Sequence, residues 1–132
     1  MSDHLHCNAG DFITWSEKHA QILQESLLLQ LDMGWLLSHL LEWQRLPERR
    51  GDRLGDDIAE QRNKVASRIR EMPDLEADLQ EAEWWAGAWG EALDIAAEET
   101  GLLCDAFPEN CPWAFEQIMD PDFWPSSPAG DT

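Results

Sequence analysis

The side chains best suited to holding an anionic ligand cluster in one window of the sequence. A histidine and a tryptophan one helical turn apart are followed by arginines at a proline-containing elbow and by another in the next helix: His39, Trp43, Arg45, Arg49, Arg50 and Arg62. Because arginine binds phosphate and carboxylate groups through paired hydrogen bonds, this window predicts a site for an anionic ligand, with a binding or an enzymatic role. The alternative is structural: the arginines pair with acids of a later helix, such as Asp94 and Glu98, and His39 is a core residue.

A second set of residues predicts a protein-binding surface. Trp84, Ala88 and Ile95 fall at helical spacing, roughly opposite the predicted core face of their helix. Exposed apolar side chains ringed by charge are typical of protein interfaces. The alternative is that the C-terminal segment of the same chain, which is rich in Trp and Phe, covers this stripe.

Other catalytic chemistry has less support in the sequence. Di-metal helical bundles use a Glu-x-x-His motif, and neither His19 nor His39 has an acid three residues before it. Cys104 and Cys111 lack a matched base and an oxyanion loop, and the chain has no glycine-rich phosphate loop. We therefore expect no metal and no cofactor, and we favour a non-enzymatic role.

The chain is strongly acidic, with 27 Asp and Glu against 9 Lys and Arg and a net charge of −18. Such a charge repels nucleic-acid phosphates and anionic membranes, so we expect neither as a partner. It favours a basic protein partner; the alternative is a solvated acidic coat that keeps the chain soluble. Eight tryptophans exceed what a core of this size needs, so we expect some of them at an interface, and a homodimer is a further candidate assembly.

The location of the protein is also constrained by the sequence. Three cysteines without a CxxC pair argue against a disulfide framework or a zinc site. The sequence shows no signal-peptide pattern and no apolar run of the ~18 residues that a membrane span requires. These features predict a cytoplasmic protein with free thiols.

Helical periodicity of apolar residues predicts an all-α fold. The expected helices cover residues 12–25, 33–45, 53–71 and 75–100. Residues 27–31 form a short apolar linker, which is either a loop or a continuation of the first helix, and Asp32 can cap the second helix. We expect Gly101 to end the fourth helix in a left-handed conformation. Pro47 and Pro73 end the second and third helices.

The apolar positions also predict which sides of two helices are buried. The expected core face of the second helix is Met33, Leu36, Leu37, Leu40 and Leu41. The third helix is expected to bury a narrow seam, with Arg62 at its margin, formed by Leu54, Ile58, Val65, Ile69 and Met72.

The remainder of the chain is predicted to wrap across these helices. Residues 102–125 are too apolar for solvent and include a short helix that ends near Met119. The full prediction is a four-helix, largely up-and-down bundle with a wrapping C-terminal segment and a short helix. Residues 1–125 would form a single domain, followed by a disordered tail at 126–132.

Three stretches of the chain resemble one bacterial family, the domain of unknown function 29. They are residues Leu37–Arg50, Ile58–Arg62 and Ala97–Pro112, the last followed by Asp122-Phe123. Relative to that family, the segment between the first and second predicted helices is shortened. The resemblance implies a small all-helical domain and brings no mechanism with it.

Together these observations favour a non-enzymatic protein–protein interaction module, of the adaptor or antitoxin-like kind. It would use the Trp84–Ala88–Ile95 stripe and the negative charge of the chain to hold a basic partner. The rival hypothesis is a ligand-binding or enzymatic domain centred on His39 and the elbow Arg45–Arg50.

Overall fold

In the computed structural model the chain is an all-α bundle, as predicted. The structure describes residues 2–125, with the side chains of residues 18–103 and 105–125. The α-helices are α1 (Ser2–Arg45), α2 (Asp52–Glu71), α3 (Ala82–Thr100) and α4 (Phe115–Met119), with 3-10 segments at Pro47–Arg49, Pro73–Gln80 and Cys104–Ala106. No strand occurs within residues 2–125, and none of the helices described there is long and apolar enough to cross a membrane. The predicted disordered tail at 126–132 lies outside the described residues.

The first two predicted helices form one continuous helix. α1 is 44 residues long, which corresponds to about 66 Å. The predicted linker at 27–31 is helical, and Leu29 within it is fully buried. The predicted helix boundary is therefore wrong, and three long helices rather than four build the bundle.

The helix boundary was expected at Asp32, but this residue does not cap a helix. Its carboxylate is nearly buried in the middle of α1, where it accepts a hydrogen bond from Arg68 Nε at 2.8 Å and lies 3.8 Å from Lys64 Nζ. Arg68 also donates to Glu25 at 2.9 Å. Burial lowers the pKa of Arg68, but the hydrogen bonds and charges of Asp32 and Glu25 outweigh that effect and raise it above its ordinary value. An acidic residue within an apolar stretch is typical either of a helix N-cap or of a buried ion pair. Asp32 belongs to a buried ion pair.

The fourth predicted helix starts later than its apolar pattern suggests. Leu75 lies in a 3-10 segment, Glu81 is extended (φ −95°, ψ 121°), and α3 begins at Ala82. In one continuous α-helix Leu75 and Trp84 would lie on opposite sides, since nine residues at 100° each make a half-turn offset. Both are buried in the structure. The break at Glu81 allows both side chains to face the core.

The core is built around the C-terminal half of α1. The predicted core face of this helix is confirmed, because Met33, Leu36, Leu37, Leu40 and Leu41 are all fully buried. The predicted α2 seam is also confirmed at its buried positions, Leu54, Ile58 and Val65.

Two glycines act where the fold requires them. A β-carbon at Gly34 would lie 2.9 Å from the Glu91 Cβ, so glycine allows α1 and α3 to approach closely. Gly101 ends α3 with φ 76°, which confirms the predicted left-handed cap.

Candidate functional site

Arg49 and Arg50, two of the three arginines of the elbow, bind the carboxyl-terminal ends of helices. Arg50 Nε donates to the Trp43 carbonyl at 2.6 Å, in the last turn of α1. Arg49 Nη1 donates to the Glu99 carbonyl at 2.9 Å, in the last turn of α3, and lies 3.4 Å from Glu42 Oε2. The last carbonyls of a helix lack partners within the helix and carry partial negative charge, so a guanidinium stabilises them. Both arginines therefore have structural tasks.

Arg62 holds the C-terminal segment against α2. It is buried, and it donates from Nε to the Ile118 carbonyl at 2.8 Å and from Nη2 to the Phe123 carbonyl at 2.7 Å. Burial lowers the pKa of Arg62, an effect that the charge of Asp120 opposes only in part. The sequence placed Arg62 at the margin of the α2 seam; the structure places it inside.

A layered stack of aromatic rings and guanidinium groups joins these elements. The rings of Trp43 and Trp124 lie 4.3 Å apart, centroid to centroid. Arg50 lies 5.7 Å from the Trp43 ring and Arg62 5.4 Å from the Trp124 ring. We call this arrangement the closed stack. The ring pair and these two cation–π contacts join the C-terminal segment to α1 and α2.

His39 and Arg45, the other members of the predicted anionic site, lie outside the closed stack. His39 Nδ1 lies 4.0 Å from Glu42 Oε1, and its ring is 5.9 Å from that of Trp35. Arg45 packs over the Phe107 ring at 5.7 Å. The predicted six residues are thus divided among separate contacts. The structural alternative fits better, although the main partners are backbone carbonyls and Glu42 rather than Asp94 and Glu98.

The predicted exposed stripe on the fourth helix is wrong. Trp84 and Ala88 are buried, and Ile95 is half-buried. Ala88 faces α1, since its carbonyl oxygen lies 3.5 Å from the position of a β-carbon on Gly34. The covering element is α1, not the C-terminal segment that we had considered. The error follows from the break at Glu81, which turns this face inward.

The opposite side of α3 borders an open groove of about 650 Å³. Its walls are Trp85 and Trp89 from α3, and Trp113 and Phe115 from the C-terminal segment. The Trp85 ring packs edge-on against Phe115, with centroids 6.1 Å apart, and Trp89 packs edge-on against Trp113 at 5.9 Å. We call this feature the aromatic groove.

Hydrogen bonds fix the tryptophans of the aromatic groove in place. Trp85 Nε1 donates to the Leu79 carbonyl at 2.7 Å, and Trp89 Nε1 donates to the Pro108 carbonyl at 3.0 Å. Because the one polar atom of each side chain is bonded to the protein, Trp85 offers apolar surface to the groove, and the buried Trp89 supports the wall from behind. The walls are therefore set before any ligand arrives.

The aromatic groove has an acidic rim. Glu76, Glu109 and Glu116 line it and are exposed, and no lysine or arginine stands among its described lining residues. Three carboxylates beside aromatic faces form a surface suited to a cationic side chain.

Cys111, one of the two cysteines weighed as a nucleophile, also lines the aromatic groove. Its thiol lies 3.5 Å from the Trp113 carbonyl. Burial raises the pKa of the Cys111 thiol, which keeps it protonated and poorly nucleophilic at neutral pH. The side chain of Cys104 lies outside the described part of the chain.

Two surfaces escaped the sequence interpretation. The aromatic groove joins residues far apart in the chain, and only the excess of tryptophan indicated it. The second surface is an exposed stripe on α1, formed by Leu23, Leu27, Leu31 and Trp35. The sequence interpretation missed it because it divided these residues between two helices and the segment that joins them. The stripe's regular spacing of four residues was the signal that could have revealed it.

The family assignment follows from a comparison with protein-family models. The model described as domain of unknown function DUF29 matches residues 33–124, well over half of the chain. The chain belongs to this family. The DUF29 match includes the aromatic groove and the closed stack but begins after Leu31, so most of the α1 stripe precedes it. No curated protein matches the chain, and no solved structure matches it.

Proposed function

We propose that this DUF29 protein is a non-enzymatic, cytoplasmic interaction module that binds a basic segment of a protein partner in its aromatic groove. The observation that carries the proposal is the combination of fixed aromatic walls with Glu76, Glu109 and Glu116 at the rim. A lysine or arginine of the partner would lie against the half-exposed faces of Trp85 or Trp113, with its charge close to the carboxylates.

The charge of the whole chain supports the same partner. A net charge of −18 attracts a basic segment over a distance and speeds its encounter with the groove. The negative field of the whole chain cannot by itself select a binding site, whereas an aromatic groove lined with carboxylates can. We therefore expect contacts in the aromatic groove to determine the affinity, and the negative charge of the whole chain to raise the association rate.

The rival hypothesis, an anionic ligand at His39 and the elbow, has weaker support. Arg49 and Arg50 bind helix-terminal carbonyls, and Arg62 binds two carbonyls of the C-terminal segment. An anionic ligand would have to displace these hydrogen bonds.

The direct test is isothermal titration calorimetry with a short lysine-rich peptide, and with a glutamate-rich peptide of equal length as the negative probe. The groove variant replaces Glu76, Glu109 and Glu116 with glutamine. A matched control variant replaces Glu48, Asp56 and Glu98, three exposed acids away from the groove, with their amides, so both variants lose the same charge.

We expect the lysine-rich peptide to bind and the glutamate-rich peptide not to bind. The groove variant should lose at least ~10-fold in affinity, or ~1.4 kcal/mol, and the control variant much less. Equal losses in the two variants would mean that only the overall field attracts the peptide, and would overturn the groove as the site. Absence of binding by the unmodified chain would overturn the proposal as a whole.

A further inference from the structure

The middle of α1, from Leu23 to Trp35, carries an apolar stripe that the rest of the described chain leaves uncovered. Leu23, Leu27, Leu31 and Trp35 are between 41% and 62% exposed. They account for four of the six exposed large hydrophobic side chains among the described residues, and they follow one another at intervals of four. Residues so spaced form a continuous ridge along one side of a helix.

This stripe is also without charge, unlike the rest of the surface. Between residues 19 and 35 the only Asp, Glu, Lys or Arg are Glu25 and Asp32, and Asp32 is buried and bound to Arg68. Glu25 lies on the far side of α1 from Leu27, where it pairs with Arg68 at 2.9 Å. Ala20 and Gln24, which share the side of Leu27, are uncharged. A basic partner would find no carboxylate here to bind.

From this we infer that the α1 stripe is the contact by which two copies of this chain form a homodimer. Two chains that each carry −18 repel one another, and this repulsion opposes association least where both surfaces are uncharged and apolar. The stripe meets both conditions and is complementary to itself. It lies apart from the aromatic groove, so the dimer and the proposed function do not depend on each other.

The spacing also defines how the two helices would meet. Ridges of residues four apart interdigitate when two helices cross at about −50°, the commonest packing class in globular proteins. In an antiparallel two-fold arrangement centred on Leu27, each Leu27 meets its own copy, and Leu23 of one chain lies near Leu31 of the other. Leu27 is therefore the position at which a charge would do the most harm.

The test is the mass of the full chain in solution, measured by sedimentation equilibrium at about 0.1 M and about 1 M salt, where the Debye length falls from about 10 to about 3 Å. We expect a mass of two 15.1 kDa chains, with dissociation weaker at high salt because the repulsion between the acidic chains is screened. A basic peptide in the aromatic groove should respond in the opposite direction and bind more weakly at high salt. The two salt responses therefore distinguish failure of the dimer from failure of the groove.

Charge exchange at Leu27 makes the test specific. Leu27→Glu and Leu27→Lys should each be monomeric, because each places two like charges at the two-fold axis, and a mixture of the two should regain the doubled mass. Leu103→Glu is the matched control, since Leu103 is 77% exposed but lies outside the stripe; it should remain dimeric. Circular dichroism of each variant verifies that α1 stays helical.

A monomeric unmodified chain at both salt concentrations would overturn the inference. So would a dimer that survives Leu27→Glu, or a mixture of the two charged variants that stays monomeric although each variant is folded.

Discussion

The two aromatic clusters of this protein are built from the same residue type and differ in what faces the rings. In the closed stack, Arg50 contacts Trp43 and Arg62 contacts Trp124, and both guanidinium groups also bind backbone carbonyls. In the aromatic groove, Trp85 and Trp113 share the walls with carboxylates, and no cation stands among the described lining residues. The first cluster already holds its cations, whereas the second is the site at which we propose that a cation of a partner binds.

The difference shows how a chain with few bases distributes them. Of its nine Lys and Arg, the structure uses Arg49, Arg50 and Arg62 at the carbonyls of helix ends and of the C-terminal segment. None of the described Lys and Arg lines the aromatic groove. We therefore interpret one cluster of tryptophans as a structural joint and propose the other as a binding surface, and four predictions test this comparison.

We expect the largest effect from removing the indole of Trp89, which lines the aromatic groove. Trp89→Ala should lower the free energy of unfolding by about 3–5 kcal/mol, because Trp89 is 3% exposed and its loss leaves a cavity. Trp84→Ala should have an effect of similar size, since Trp84 is also buried, which reverses the small effect expected for an exposed stripe. Urea unfolding followed by circular dichroism measures both. A near-neutral Trp84→Ala would restore the interpretation of Trp84 as a surface residue.

The next effect concerns the closed stack. Arg62→Met keeps the apolar stem but leaves the Ile118 and Phe123 carbonyls without their donor, so we expect a loss of about 3 kcal/mol. Arg70→Met, at an exposed arginine of the same helix, is the control and should change stability by less than about 0.5 kcal/mol. If urea unfolding shows an equal loss of stability for Arg62→Met and Arg70→Met, Arg62 stabilises the fold through its charge alone and not through its hydrogen bonds.

A finer comparison separates two buried indoles by their hydrogen bonds. Trp89 Nε1 donates to Pro108, whereas Trp84 Nε1 is buried with no partner among the described residues. Trp89→Phe should therefore cost about 1 kcal/mol more than Trp84→Phe, because only the first leaves a carbonyl unpaired. The difference between the two denaturation midpoints is the measurement, and the reverse order would contradict the assigned bonding.

The smallest effect is the pH dependence contributed by Cys111. Burial raises the pKa of this thiol in the folded chain, so its contribution to stability is complete below the thiol's ordinary pKa and is lost as pH rises through the folded value. The free energy of unfolding should fall more steeply at alkaline pH in the unmodified chain than in Cys111→Ala. Parallel pH curves for the two proteins would show that the thiol is as accessible to water as in the unfolded chain.

Local physical chemistry predicted much of the architecture from sequence. The apolar period of Met33–Leu41 gave the buried face of α1, Pro47 and Pro73 marked the ends of helices, and Gly101 marked the end of α3. Each of these depends on neighbours within a few residues. The three stretches that resemble the DUF29 family likewise needed no coordinates, and the family assignment is confirmed.

Tertiary contacts decided the rest, because they join residues far apart in sequence. Asp32, which we expected to cap a helix, instead forms a buried ion pair with Arg68 in the middle of α1. Because α1 is continuous there, its exposed apolar residues form one stripe. The break at Glu81 turned Trp84 inward and left the other side of α3 to the aromatic groove. The composition determined that basic residues are few and tryptophans many. Only the tertiary packing decided which rings the arginines contact, because each guanidinium lies where backbone carbonyls are within reach.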